Sequence, residues 1–309
     1  MGRRDRADRD DGVGAQRGRR APSPIYLDDA GGGAAPVTVL RRPARRHRIV
    51  FGWYGGKFNH LDWLLPLLPQ ARHYCEPFSG SAAVLLNRAP AAVETYNDID
   101  GEAVNFFRIL RDQPDKLVRL IALTPFAREE FHDAVVGASG EADPVERARR
   151  FYVRARQART GLAQTATLGR WANCRNTSRG GMAGAVSRWL GGVDGLEEVA
   201  RRLLRVQIEN RPADEVIALY DGPDTLFYCD PPYLHATRGD CKAYGFEMDL
   251  DAHARLADVI GRCRGRIALS GYRCDQMDAW YGGWRRFDAP VKQCHSIKQA
   301  RQECLWMNY

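Results

Sequence analysis

From residue 49 onward, short apolar runs alternate with longer stretches whose apolar positions recur at helical spacing, and Gly or Pro marks most of the changes between them. The pattern predicts a strand at Ile49-Val50-Phe51, a helix near Leu61 to Leu68 and a second strand at Tyr74-Cys75. A loop at 76–81, a helix over Ala82 to Asn87 and a strand over Ala92 to Tyr96 follow. Helical patterns then cover about 101–122 and 127–159. Residues 160–195 cluster Gly, Asn, Thr and Ser and read as loop. The alternation resumes with a strand at Thr225 to Cys229, a helix over Leu250 to Arg262, a strand at Arg266 to Ser270 and a β-rich end. Repeated strand–helix–strand units predict a largely parallel sheet with helices on both faces, interrupted by a long insertion.

Residues 1–47 show neither period and are rich in Arg, Asp, Gly and Pro, so they are expected to be a disordered basic tail. Charge is unevenly spread within the net +8. Residues 1–48 carry twelve Arg against six Asp, and residues 145–211 carry fourteen Arg against five acidic residues, which leaves the remainder acidic. Residues 151–193 hold seven Arg and no Asp or Glu, interleaved with Gln164, Asn173, Asn176 and Trp171. A mixture of cations and amides suits phosphate contact together with base reading, so nucleic acid is the expected partner and Arg170, Arg175 and Arg179 are the candidate contacts. A solvated basic surface is the competing reading.

The eight cysteines never fall two or three residues apart, so no metal site is expected and reduced thiols are the default. No run approaches the roughly 20 apolar residues of a membrane span, and the Arg-rich start lacks the apolar core of a secretory signal. A cytoplasmic protein that binds no membrane is therefore expected.

Asp230-Pro231-Pro232-Tyr233 directly follows an apolar strand. Two prolines fix the backbone as it leaves the carboxyl edge of a sheet, where open α/β folds bind ligands. Such a loop can aim the Asp230 carboxylate and the Pro231 carbonyl at one amino group, with the Tyr233 ring as a flat stacking face for an extruded base. A rigid turn with an incidental Tyr is the alternative for the tetrapeptide alone. Glu76-Pro77-Phe78-Ser79-Gly80-Ser81 ends a strand with small residues that admit a ligand close to backbone, without a full phosphate-binding pattern. Asn97-Asp98 ends the next strand, where a carboxylate either holds ribose hydroxyls or caps the helix beginning near Gly101. Trp53-Tyr54-Gly55-Gly56-Lys57 offers a cation and an aromatic ring, or simply a glycine turn.

In this order, and with the long insertion before the last motif, WYGGK, EPFSGS, NDID and DPPY resemble the α-group (D12 class) adenine-specific DNA methyltransferases of the Dam type. The resemblance extends over residues 49–309, including the closing Arg301-Gln302-Glu303-Cys304-Leu305-Trp306. It implies a Rossmann-like S-adenosylmethionine-dependent fold: a mostly parallel seven-stranded sheet with an inserted target-recognition domain. The expected partition is 48–125 with 210–309 for catalysis and 126–209 for DNA. By the same resemblance Trp53, Lys57, Phe78, Gly80, Asp98 and Asp230 bind S-adenosylmethionine, and Asp230, Pro231, Pro232 and Tyr233 form the catalytic loop. Ser79 and Ser81 depart from a pattern that is richer in Gly in many members. The implied activity is direct methyl transfer to the N6 amine of an adenine flipped out of double-stranded DNA, by a monomer that needs no metal. The alternatives are a catalytically silent DNA-binding protein on the same fold and an RNA adenine methyltransferase. The cytosine amine is a minor further target.

Overall fold

The computed structural model describes residues 47–139, 143–237, 245–290 and 302–309. The expected tail lies, His47 apart, outside them. The remaining chain from His47 onward forms one compact unit.

Its centre is a seven-stranded sheet. In chain order the strands are β1 (His73–Glu76), β2 (Val93–Asn97), the two-stranded hairpin β3 (Ser178–Arg179) and β4 (Met182–Ala183), then β5 (Gln207–Glu209), β6 (Thr225–Cys229), β7 (Arg266–Tyr272), β8 (Arg285–Asp288) and β9 (Glu303–Met307). Leaving aside the β3–β4 hairpin, which stands apart, the spatial order is β5-β2-β1-β6-β7-β9-β8. The first five run parallel, and β9 is antiparallel to both of its neighbours, β7 and β8.

Apolar runs without polar alternation are explained by burial on both faces. In β6, Leu226 and Tyr228 enter the core on one side of the sheet, while Phe227 and Cys229 enter the core on the other. Ala268 against Ile267 and Leu269 in β7, and Leu305 and Met307 against Cys304 and Trp306 in β9, divide the same way. The first side is covered by α2 (Gly101–Asp112) and α5 (Pro144–Gln157), the second by α8 (Ala213–Tyr220), α9 (Leu250–Gly261) and α10 (Asp275–Tyr281). The remaining helices are the single turn α1 (Leu61–Leu64), α3 (Pro114–Leu123), α4 (Arg128–Val136), α6 (Gly184–Val193) and α7 (Leu196–Leu203).

Several local expectations are corrected. Ile49 to Phe51 pair with no strand: Phe51 instead buries its ring among Phe106, Phe107 and Phe151, with centroids 5.1–5.5 Å away. The helix expected over Leu61 to Leu68 is one α-turn flanked by 3-10 turns, because Pro66 has no amide to continue it. Ala82 to Asn87 make successive turns rather than a regular helix, beginning at Ala82 with φ +55°. The long helical stretches divide before Pro114 and before Pro144, each of which opens a new helix. Within the expected loop 160–195, α6 buries Trp189 against Tyr152. Of the segment expected as an insertion, β5 is an edge strand of the main sheet and α5 lies on α2.

Candidate active site

The chain proceeds from β1 outward to β2 in one direction and from β6 outward to β7 in the other, so the crevice between β1 and β6 is the topological switch point. A cleft opens there, at the carboxyl ends of β1, β2 and β6. Trp53, Lys57, Glu76, Phe78, Gly80, Asp98, Asp230 and Pro232 all line it. All six residues expected to hold a cofactor thus converge on one cavity.

Each is fixed by its local structure. Asn97, at the end of β2, donates from its side chain to the Pro77 carbonyl (2.8 Å), and the Ser79 amide donates to the Asn97 carbonyl (2.9 Å). The Ser79 hydroxyl donates to the Glu76 carbonyl (2.8 Å) and accepts from the Asn97 amide (3.2 Å), which gives a physical reason for Ser rather than Gly at this position. Gly80 has φ +50°, and a Cβ there would lie 2.4 Å from the Trp53 indole nitrogen. Backbone conformation and close approach both demand Gly.

Asp98 accepts from the Gly80 amide (2.7 Å) and from the Asp100 amide (2.9 Å). It does not cap α2. Asp100 does, accepting from the Glu102 and Ala103 amides, and it also accepts from the Gln164 side chain (2.9 Å). Burial raises the Asp98 carboxyl to about 6, against the pull of its amide donors. Glu76 is 2% exposed, accepts from the Tyr74 hydroxyl (2.7 Å), and is driven by burial to about 8.

Lys57 is 4% exposed, and its ammonium sits 2.7 Å from Asp230 Oδ1, 3.3 Å from Glu303 Oε1 and 2.7 Å from the Gly55 carbonyl it donates to. Burial lifts the Asp230 carboxyl to about 6; Lys57 draws it down and Glu303 pushes it further up. The Tyr233 hydroxyl donates to Glu303 and stands 3.3 Å from Asp230 Oδ1.

Tyr233 does not present the open stacking face expected of it. It is 5% exposed, packs edge-on to Tyr272 (4.8 Å) and lies beneath Lys57 (5.0 Å). With Pro231 it lines a small separate pocket together with Leu234, His253 and Tyr272.

Arg170, Arg175 and Arg179 are exposed and remote in sequence from the cleft motifs, Arg179 on β3 beside the left-handed Gly180-Gly181 tip. Among the described residues no carboxylate pairs with any of the three. The acid-free segment is not uniformly outward, however: Arg154 is buried, donating to the Ala134 carbonyl (2.9 Å), and Arg156 donates to the Arg188 carbonyl (2.6 Å). Sequence reasoning did not select Glu76, Gln164 or Glu303. Glu76 lay in a motif valued for its small residues, and nothing local distinguishes Glu303 before β9 is placed beside β7.

The D12 class of N6 adenine-specific DNA methyltransferases matches this chain over residues 53–299, a span that contains every motif lining the cleft. The chain belongs to that class. Relatives of this D12 methyltransferase include a DNA adenine methylase of Vibrio cholerae, 26% identical over 226 residues, covering 70% of this chain and 76% of the relative. A DNA N-6-adenine-methyltransferase of Escherichia phage P1 is 26% identical over 229 residues, covering 72% of this chain and 29% of its own length. The type II methyltransferase M1.LlaDCHI of Lactococcus lactis is 27% identical over 199 residues, covering 59% and 64%. No helix among the described residues is long and apolar enough to cross a membrane.

Proposed function

We propose that this D12 enzyme transfers a methyl group from S-adenosylmethionine to the N6 amine of an adenine extruded from duplex DNA, with Asp230 and the Pro231 carbonyl as the two acceptors of the amine hydrogens. The observation that carries the reading is the Asp230 carboxylate, held by Lys57 on the wall of the switch-point cleft.

The residues present fit the cofactor. A nucleoside bearing a cationic, zwitterionic tail needs a flat apolar wall, an acceptor for ribose hydroxyls and charges of both signs at the far end. Trp53 and Phe78 supply apolar lining, and Gly80 lets the Trp53 indole pack directly against the loop. Asp98 uses one oxygen toward each of two amides and retains lone pairs for hydroxyl donors. Lys57 and Asp230 supply the charges. When bound, S-adenosylmethionine supplies an electrophilic methyl group.

The adenine amine is a poor nucleophile because its lone pair is delocalised into the ring. Two acceptors aimed at its hydrogens favour a tetrahedral nitrogen and stabilise the positive charge that grows on it. Asp230 performs this only as the carboxylate, and the Lys57 ammonium favours that form against burial. The prolines hold the carbonyl and carboxylate in fixed relation, so little reorganisation is needed during attack. Tyr233 acts through Asp230 in this conformation; stacking against it requires the ring to be uncovered. Arg170, Arg175 and Arg179 contact phosphates flanking the extruded base.

The test is incubation with methyl-labelled S-adenosylmethionine and mixed-sequence duplex DNA, beside Asp230→Ala, followed by nucleoside analysis. Label in N6-methyladenine from the native protein alone is expected. Label in cytosine, only in RNA, or undiminished in Asp230→Ala would overturn the reading.

A further inference from the structure

Glu303 takes no part in the mechanism above, yet it is 8% exposed and touches two groups that surround Asp230. It arrives from β9, which is hydrogen-bonded to β7 and β8 and not to β6. Its backbone stands opposite Tyr272, the residue whose ring packs edge-on against Tyr233. One side chain thus reaches past a whole strand to the catalytic loop. Its Oε1 accepts from the Tyr233 hydroxyl and faces the Lys57 ammonium at 3.3 Å, while the same ammonium faces Asp230 at 2.7 Å.

A buried carboxylate that shares its cation with a second, part-buried one is an unfavourable way to fill space, since an apolar side chain of similar volume would avoid the desolvation of a second charge. A structural role alone therefore accounts poorly for Glu303. We propose that Glu303 is a positioning residue for methyl transfer, clamping Lys57 and Tyr233 around Asp230 and so fixing the orientation of that carboxylate. This rests on the reading of Asp230 as an acceptor of the adenine amine. Among the described residues, the ionisable groups that interact with Asp230 are Lys57 from the turn before α1, Tyr228 and Cys229 on β6, Tyr233 after it, Glu76 at the end of β1 and Glu303 on β9.

Because Glu303 raises the Asp230 carboxyl and the Tyr233 hydroxyl lowers it, removing each has an opposite signature. The experiment measures single-turnover methylation of duplex DNA against pH for the full chain and for Glu303→Gln, Glu303→Asp and Tyr233→Phe. Cofactor titration and thermal melts accompany each protein.

For Glu303→Gln the expected result is a rate lowered on the order of tenfold to a hundredfold by misplacement of the acceptor, unchanged cofactor affinity, and an acid limb displaced to lower pH. Tyr233→Phe moves the limb to higher pH. Glu303→Asp, which keeps the charge, returns the limb to its native position and recovers most of the rate. A Glu303→Gln rate that falls only with the folded fraction, with the acid limb unmoved, overturns the proposal, as does a native rate and profile. Should Glu303→Gln fail to fold, the other two variants decide: an unmoved limb in Tyr233→Phe or a displaced one in Glu303→Asp is equally fatal. Undiminished methylation by Asp230→Ala would instead sink the underlying reading of the site, whatever Glu303 does.

Discussion

Asp230 lies between a cation that stabilises its charge and a second carboxylate that opposes it, with burial tipping the balance toward protonation. A protonated Asp230 offers a hydroxyl where the amine hydrogen needs an acceptor, so kcat is expected to fall as pH drops through about 6. Lys57→Met removes the stabilising cation and moves that limb upward; a pH–rate profile that stays in place would show that Lys57 does not govern the carboxylate. Gly80 is constrained twice over, by φ +50° and by the Trp53 indole. Gly80→Ala is expected to destabilise the protein by about 1–3 kcal/mol and to weaken cofactor binding at least tenfold, read by thermal melts and by titration. Ala82, also left-handed at φ +55°, carries that strain already, two residues along the same turn. The sequence made Asp98 and Asp230 visible because each sits directly after a strand, and Gly80 because it lies in the small-residue loop that follows one. It left Asp98 with two readings, and the structure removes one of them, because the neighbouring Asp100 takes the cap of α2. Glu303 lies within the closing motif but has no task legible there, since its partners lie 246 and 70 residues away in the chain.

At the level of elements, the central strands were legible because burial on both faces leaves an unbroken apolar run, and α9 because burial on one face leaves a helical period. The misreadings have separate physical causes. Phe51 looks like strand and is core without a ladder, Pro66 fractures a helical pattern, and α6 hides in small residues. Those small residues have a packing reason: a Cβ on Gly192 would fall 2.4 Å from the Arg156 guanidinium and 2.7 Å from the Tyr152 hydroxyl. Composition reads them as loop, and tertiary contact makes them helix. The hairpin that precedes α6 is a short projection with both tip glycines left-handed and Arg179 exposed beside them. Replacing Arg175 and Arg179 by Ala is expected to weaken DNA binding and to reduce the slope of log K against log salt by about 1.8, at about 0.9 for each phosphate contact. Cofactor affinity stays unchanged. An unaltered salt slope would remove these two residues from the DNA interface.

Across the whole molecule, the buried Glu76 and Asp98 and the part-buried Asp230 gather three carboxyls at one end of the sheet, raised to about 8, 6 and 6. A carboxyl whose folded value is raised contributes its full stability below the unfolded value and loses it as pH rises through the folded one. The ligand-free enzyme is therefore expected to lose thermal stability between about pH 5 and pH 8, and Glu76→Gln to flatten the upper part of that decline. A melting temperature in Glu76→Gln that keeps the native pH dependence would show that Glu76 is ionised in the folded state. The placement of β9 has another consequence, for the time at which the enzyme becomes competent. This strand wedges between β7 and β8, although β8 precedes it directly in the chain, and it brings Glu303 to Lys57 across most of the sequence. Contacts between such distant residues close late, because the entropy of the intervening loop must be overcome before they form. Closure of this long-range contact and completion of the Asp230 site thus coincide, so a chain in which the earlier strands have already paired still has no assembled chemistry until its last strand is in place.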